Sequence, residues 1–151
     1  MPLNARYGHT NLIARDWQRL AKFYQEIFGC TPASSERDLR GDWLDRSSGV
    51  TNAHIRGIHL RLPGHGDKGP TLEIFSYDQM PATELPQANR PGFGHIAFGV
   101  EDVTAAVAAV KKAGGSTVGD IVQTDVPSAG KLEVAYARDP EGNIVELQRW
   151  L

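Results

Sequence analysis

The segment 93–102, Phe-Gly-His-Ile-Ala-Phe-Gly-Val-Glu-Asp, predicts a short strand that leads into the N-terminal cap of a helix. The chain repeats this pattern at residues 7–16, which read Tyr-Gly-His-Thr-Asn-Leu-Ile-Ala-Arg-Asp. In both segments a Gly-His pair is followed by an aspartate seven residues after the histidine. After each aspartate the apolar period changes from two residues to about 3.6. The duplication indicates two copies of one supersecondary unit, with a histidine at the same place in each.

The first copy continues as a helix and three strands. Asp16 can cap the helix by accepting hydrogen bonds from the free amides of its first turn. The predicted elements are a strand at 6–13, a helix at 17–28, a weaker strand at 31–38, and strands at 55–62 and 71–77. Residues 39–54 are expected to hold a short helical turn that is mobile or covers a pocket.

The second copy follows a segment rich in proline and has the same order of elements. Residues 79–92 contain three prolines among polar residues and predict a linker. The elements after it are strands at 93–100, 116–123, 132–138 and 143–149, with a helix from 103 to about 113. The predicted organisation is therefore a β-α-β-β-β module at 1–78, the linker, and a second module at 93–151.

Each module ends in a strand with a glutamate between apolar residues. Glu73 lies between Leu72 and Ile74, and Glu146 occupies the same position in the second module. Because the apolar neighbours face the helix, the glutamates point to the opposite side of the sheet. His9 and His95 are predicted on that side too. If curved sheets enclose this face, two imidazoles and two carboxylates converge.

This set of side chains suits a divalent transition metal with five or six ligands. A bound metal polarises a carbonyl oxygen and stabilises an enediolate. Glu73 or Glu146 can then take and return a proton bound to carbon, acting as a general base. The sequence therefore predicts His9, Glu73, His95 and Glu146 as metal ligands, with both glutamates as candidate catalytic bases.

Other polar side chains near the predicted site are weaker candidates. His59 lies one strand from Glu73, where it could hold a metal ligand in place, contact the substrate or lie at the surface. Arg61 is a candidate for binding an anionic substrate group, with a solvated surface charge as the alternative, and Tyr136 is a candidate for facing the pocket from its strand. His54 and His65 are expected at the surface.

Composition excludes several classes of function. The formal charge of −2, without a basic stripe, gives no indication of nucleic-acid binding. No apolar run approaches the ~20 residues of a membrane span, and the N-terminus lacks the apolar region of a signal peptide. The single cysteine, Cys30, excludes an internal disulfide and fits a reducing compartment. A cytoplasmic protein is the expectation.

The sequence resembles the vicinal oxygen chelate superfamily, also called the glyoxalase/bleomycin resistance/extradiol dioxygenase superfamily. The matching motifs are the two Gly-His strands with Asp16 and Asp102, the segment Thr71-Leu72-Glu73-Ile74-Phe75, and the turn Asp139-Pro140-Glu141-Gly142-Asn143 before Val145-Glu146-Leu147. The resemblance implies an α+β fold in which paired modules form a U-shaped, incompletely closed β-barrel with helices outside. It also implies ligands on the first and last strand of each module, which are His9, Glu73, His95 and Glu146.

The resemblance is nearest to lactoylglutathione lyases and methylmalonyl-CoA epimerases. It implies a lyase or isomerase that acts on a small-molecule substrate with one divalent ion per site, Ni, Co, Zn, Mn or Fe. An extradiol-type dioxygenase and a non-catalytic drug-binding protein of the same fold are the alternatives. A homodimer is expected, with the site inside one chain or shared between two.

Overall fold

The computed structural model describes residues 1–151 and divides into two compact units, Met1–Pro81 and Ala82–Leu151. The first unit contains β1 (His9–Ile13), α1 (Trp17–Phe28), β2 (Thr31–Pro32), β3 (Arg37–Arg40), α2 (Asp42–Ser48), β4 (His54–Arg61) and β5 (Thr71–Tyr77). The second contains β6 (Ile96–Gly99), α3 (Val103–Lys112), β7 (Ser116–Thr117), β8 (Val122–Val126), β9 (Gly130–Arg138) and β10 (Ile144–Trp150). The division between the units lies inside the proline-containing segment 79–92.

Each unit has one five-stranded mixed sheet, and the two sheets have the same strand order. The first runs β1-β5-β4-β2 and the second runs β6-β10-β9-β7. The pairs β1–β5 and β6–β10 are parallel, and the remaining pairs are antiparallel. The predicted α+β class and the duplicated unit are therefore confirmed.

The strand after the first helix of each unit differs from its prediction. The segment predicted at 31–38 forms two short strands, β2 and β3, which both pair with β4. The segment predicted at 116–123 likewise divides into β7 and β8, which both pair with β9. Each is one broken edge strand, and its polarity does not alternate cleanly enough for the break to be read from the sequence.

The two strands that carry the Gly-His pairs are shorter than predicted. β1 begins at His9, opposite Thr71, and β6 begins at Ile96, so His95 precedes its strand by one residue. The reason is the pairing partner: β10 begins only at Ile144, after the tight turn, and no strand lies beside residues 93–95.

Both long helices begin at the predicted aspartates and cover one face of their sheets. Asp16 accepts a hydrogen bond of 3.0 Å from the amide of Arg19, and Asp102 accepts one of 2.8 Å from Ala105. α1 packs on β4 and β5, and α3 packs on β9 and β10. The side chains buried in the two units include Leu20, Tyr24, Leu60, Leu72 and Ile74 in the first, and Val103, Val110, Val145 and Leu147 in the second. None of the three helices has the length and apolar character needed to cross a membrane.

The short helix α2 gives residues 39–54 a defined place in the first unit. Leu44 of α2 packs in a buried cluster with Ala53, Ile55 and Phe75. Ile55 and Phe75 lie on the sheet face that carries Glu73. Phe75 is two residues after Glu73 on β5, and Ile55 on β4 is paired with Tyr77, which is two residues further along β5. The predicted helical turn is confirmed, and it covers one end of the face on which the candidate site lies.

The prediction that His54 is a surface residue is wrong. Its side chain is only 13% exposed, and its two ring nitrogens each lie 2.7 Å from a carboxylate, of Asp38 and of Asp78. The hydrogen bonds from His54 lower the pKa of Asp38 and the pKa of Asp78 below the usual carboxyl value. Both aspartates come from chain segments that lie beside β4 only after the sheet forms.

Gly57 is required by the close packing of β4 against β5. A Cβ atom at this position would lie 2.0 Å from the carbonyl oxygen of Ile74 and 2.3 Å from Cδ1 of Phe75. We expect Gly57→Ala to lower the free energy of unfolding by about 2–3 kcal/mol, as overpacking does in other cores. Chemical denaturation measures the change.

Gly99 on β6 provides the matched control for this substitution. Nothing lies within 4 Å of a Cβ placed there, so Gly99→Ala should change stability by less than about 0.5 kcal/mol. Equal effects of the two substitutions would contradict the packing explanation.

Candidate functional site

Glu73 lies in the middle of β5, on the sheet face opposite α1. Its neighbours Leu72 and Ile74 are fully buried, so the alternation of the strand directs Glu73 away from that core. Its side chain is nevertheless only 13% exposed. A carboxylate with so little contact with water needs polar partners.

Three polar side chains surround the Glu73 carboxylate. Nε2 of His59 lies 2.5 Å from Oε2, and Nε2 of His9 lies 3.6 Å from Oε1. The side-chain amide of Asn11 donates a hydrogen bond of 2.8 Å to Oε1. The imidazole rings of His9 and His59 meet edge to face, with 5.5 Å between their centroids. The first unit therefore gathers two histidines and one carboxylate at one point.

His59 is placed by its register opposite Glu73 and by Thr71. Its Nδ1 lies 3.3 Å from the Thr71 hydroxyl, which turns Nε2 toward the carboxylate. Burial lowers the pKa of His59, and the charge of Arg37 and the neighbouring His9 act in the same direction, while Glu73 opposes them. The net effect favours the neutral imidazole, which is the form that binds metals.

Arg61 lies on the same face, two residues along β4 from His59. Its guanidinium donates a hydrogen bond of 3.1 Å to the carbonyl oxygen of Pro32, and its Nε lies 3.7 Å from Asp67. The Nε atom is buried and makes no hydrogen bond. Arg61 therefore lies beside the cluster, with partners other than Glu73.

The second unit places Glu146 in an equivalent position on β10. Nε2 of His95 lies 2.8 Å from Oε2 of Glu146. Tyr136 lies opposite Glu146 in the β9–β10 register, and its ring centroid is 5.1 Å from that of His95. Burial raises the pKa of Tyr136, and the charge of Glu146 and the hydrogen bond to it raise it further. Tyr136 therefore stays protonated and donates to Glu146.

The turn before β10 sets where this strand begins. Asp139 is buried, and its carboxylate accepts from the backbone amides of Glu141 and Asn143 and from the side-chain amide of Asn143, at 2.9 to 3.0 Å. The amide of Asp139 donates to the carbonyl oxygen of Asn143. This network leads the chain directly into Ile144, two residues before Glu146.

The two units differ at one matched position. His59 pairs with Glu73 in the first sheet, and Tyr136 pairs with Glu146 in the second. The first carboxylate therefore has two imidazoles beside it, whereas the second has one imidazole and a phenol. This difference makes the first unit the richer in nitrogen ligands.

The donor atoms of the first unit fit a divalent metal ion. The ligand atoms of His9, His59 and Glu73 all lie within 4.8 Å of one another. Ligand atoms around one such ion are about 3–4 Å apart, because metal–nitrogen and metal–oxygen distances are about 2.0–2.2 Å. The set has the two-histidine, one-carboxylate composition of many metal sites.

The structure places all seven sequence-predicted residues beside one of the two glutamates or on the same face. His9, His59 and Glu73 come together in the first unit, and His95, Tyr136 and Glu146 come together in the second. The sequence reasoning missed Asn11 and Thr71. Asn11 lies two residues after His9, so strand alternation could have found it. Thr71 could not be found in this way, because its contact with Nδ1 of His59 depends on the side-chain rotamer of His59.

Comparison with known proteins places this chain in a family. Residues 6–147 match the family model described as the glyoxalase/bleomycin resistance protein/dioxygenase superfamily. The chain belongs to this superfamily. The match spans both units and includes both histidine–glutamate pairs, so the duplicated unit identified in the sequence is the repeat of the glyoxalase superfamily.

Two curated superfamily proteins are similar to the chain over nearly its full length. A probable lactoylglutathione lyase of Vibrio parahaemolyticus is 27% identical over 144 residues, which cover 95% of this chain and 90% of the relative. A probable lactoylglutathione lyase of Vibrio cholerae is 24% identical over 147 residues, with the same coverage.

Solved structures of the superfamily share the fold. A glyoxalase family protein of Bacillus cereus has a TM-score of 0.83 at 20% identity, covering 99% of this chain and 97% of its own. The trypanothione-dependent glyoxalase I of Leishmania major has a TM-score of 0.64 at 23% identity, covering 97% and 87%. At these identities the likeness concerns the fold.

Proposed function

We propose that this protein is a divalent-metal-dependent lyase or isomerase of glyoxalase type, with His9, Glu73, His95 and Glu146 as metal ligands. The observation that supports it best is the repeated histidine–glutamate pair. Each unit holds one such pair at the same place in its sheet, with 3.6 Å between His9 and Glu73 and 2.8 Å between His95 and Glu146.

The chemistry proposed is the removal of a proton next to a carbonyl group. A bound divalent ion supplies Lewis-acid stabilisation of negative charge on the carbonyl oxygen. Glu146 and Glu73 are the proposed bases, since each carboxylate is shielded from water and aimed away from the apolar core. Tyr136 donates to Glu146 and holds its orientation while the proton moves.

The names of the relatives suggest a first substrate to test. Two are named as probable lactoylglutathione lyases, and lactoylglutathione is an α-hydroxy thioester with a hydrogen next to its carbonyl. An anionic substrate of this kind would find Arg61 beside the cluster. We propose that Arg61, His59 and Tyr136 either contact the substrate or orient the side chains that contact it.

We also propose that the protein acts as a homodimer. Trp150 on β10 and Val122 on β8 are each 49% exposed, on two strands that both pair with β9, and a contiguous exposed apolar patch often marks an interface. The oligomeric state in solution, measured by analytical ultracentrifugation, tests this proposal.

Metal content is the measurement that tests the proposed function. Protein purified without an affinity tag should contain nearly one equivalent of nickel, cobalt, zinc or manganese per site. His9→Ala should lower that content, because the variant removes one proposed ligand. His65→Ala is the matched control, since His65 is exposed in the loop between β4 and β5. No binding of any divalent ion after reconstitution would refute the catalytic proposal and favour a small-molecule binding protein.

An extradiol-type dioxygenase is the second candidate. The observation that favours it is the composition of the first unit's cluster, because two histidines and one carboxylate are the ligands of many non-haem iron(II) oxygenases. This function requires iron(II) and consumption of oxygen with a catechol. Oxygen uptake by the iron-loaded protein would establish it in place of the lyase or isomerase.

A further inference from the structure

We propose that the first unit holds the metal ion by itself, through His9, Glu73 and a third ligand, His59. The inference rests on the metal dependence proposed above and changes the ligand set. Repeated histidine–glutamate pairs predict two ligands from each unit, whereas the geometry points to three from the first. His95 and Glu146 then complete the coordination rather than determine whether the ion binds.

The positions of the three donor atoms carry the proposal. Nε2 of His59 and Nε2 of His9 lie on two sides of the same carboxylate, at 2.5 Å from Oε2 and 3.6 Å from Oε1. All three ligand atoms lie within 4.8 Å of one another, so shifts of about 1 Å bring them to the spacing of a coordination sphere. An ion there would take the place of the direct contact between His59 and Glu73.

Neighbouring side chains already orient these ligands. Metal-bound histidines usually donate their second ring nitrogen to an oxygen, and metal-bound carboxylates are usually hydrogen-bonded. Nδ1 of His59 faces the Thr71 hydroxyl at 3.3 Å, which leaves Nε2 for the ion. Asn11 donates to Oε1 of Glu73 at 2.8 Å. Both outer partners belong to the first unit.

The second unit lacks the third nitrogen. At the position opposite Glu146 stands Tyr136, which offers a phenol where the first unit has an imidazole nitrogen. A protonated phenol does not bind a metal ion through a free lone pair as readily as an imidazole does. The difference between His59 and Tyr136 thus assigns most of the affinity for metal to the first unit.

Cobalt(II) titration of the full-length protein tests the inference. The visible absorption of cobalt(II) reports its ligands directly, independently of any activity. We expect the double variant His95→Ala/Glu146→Gln to keep one cobalt(II) per chain with an affinity within about tenfold of the wild type. We expect His59→Ala to weaken cobalt(II) binding by more than about 100-fold. Even the loss of a residue that only hydrogen-bonds to a metal ligand lowers metal affinity by about 10–100-fold.

The fold of each variant is checked, so that weaker cobalt(II) binding can be assigned to the lost ligand and not to unfolding. Circular dichroism of every variant should match the wild type, and His59→Gln provides a second removal of the imidazole that retains a polar side chain. His54→Gln is the matched control within β4, because its ring contacts Asp38 and Asp78 instead of Glu73. His54→Gln should bind cobalt(II) as the wild type does.

The outcomes separate this inference from the proposed function. If both His59 variants bind cobalt(II) normally, His59 is a hydrogen-bond partner of Glu73 and the inference is wrong, although the metal-dependent function stands. If the double variant loses the ion while the His59 variants keep it, the inference is also wrong. If the wild type binds no divalent ion, the proposed function and the inference both fail.

Discussion

Replacing Glu146 with glutamine is expected to slow α-proton exchange by about 10²- to 10⁴-fold, the range that general-base catalysis contributes. Glutamine keeps the shape of the side chain and still accepts a hydrogen bond from Tyr136, but it cannot take a proton from carbon. Exchange of the α-hydrogen of lactoylglutathione into D₂O, followed by NMR, measures the change. The rate is expressed per bound metal, so that lost metal is not mistaken for lost basicity.

Two further variants make this result interpretable. Glu73→Gln, assayed in the same way, shows which glutamate is the base, because only one of them needs to accept the proton. Glu26→Gln is the control, since Glu26 is exposed on α1 and pairs only with Lys22. An exchange rate for Glu146→Gln within threefold of the wild type would exclude Glu146 as the base. If neither variant affects exchange, the protein has no carboxylate base at these positions.

Replacing Asp139 with alanine is expected to lower the free energy of unfolding by about 3 kcal/mol. The substitution leaves three donors in the turn without their acceptor, namely the amides of Glu141 and Asn143 and the side-chain amide of Asn143. Each buried donor left unpaired costs about 1–3 kcal/mol, and partial access of water to the turn keeps the sum near the lower end. Urea unfolding followed by circular dichroism measures the loss.

The control variants separate the lost acceptor from the lost charge. Asp139→Asn retains one acceptor oxygen and should cost about half as much as alanine. Asp120→Ala removes an exposed aspartate between β7 and β8 and should change stability by less than about 0.5 kcal/mol. Equal stability of Asp139→Ala and the wild type would show that the hydrogen bonds of the turn do not stabilise β10.

The local elements of the fold could be read from the chain because their signals are local. The aspartate caps, the apolar stripes of the helices and the alternation around Glu73 and Glu146 each depend on residues close together in sequence. The broken edge strands could not be read in this way. Whether β2 and β3 are one strand or two depends on the length and twist of β4, to which both are hydrogen-bonded.

The site residues likewise include some that the sequence identifies and others whose role only the strand pairing shows. Repetition alone selected His9, Glu73, His95 and Glu146, since a matched position in two copies carries information without any structure. The roles of His59 and Tyr136 were ambiguous in the sequence, because each is only one polar residue on an alternating strand. The antiparallel register places His59 opposite Glu73 and Tyr136 opposite Glu146. This pairing distinguishes them from the other polar residues of their strands.

The sequence by itself therefore determined the repeat, the helix positions, the α+β class and one histidine and one glutamate per unit. Only the tertiary structure decided that His59 joins His9 beside Glu73, that His54 is enclosed by Asp38 and Asp78, and that α2 covers the Phe75 end of the sheet face. The physical reason is distance along the chain. Caps and periodicity act over a few residues, whereas these contacts join strands brought together by sheet hydrogen bonds, which form only when the whole unit folds.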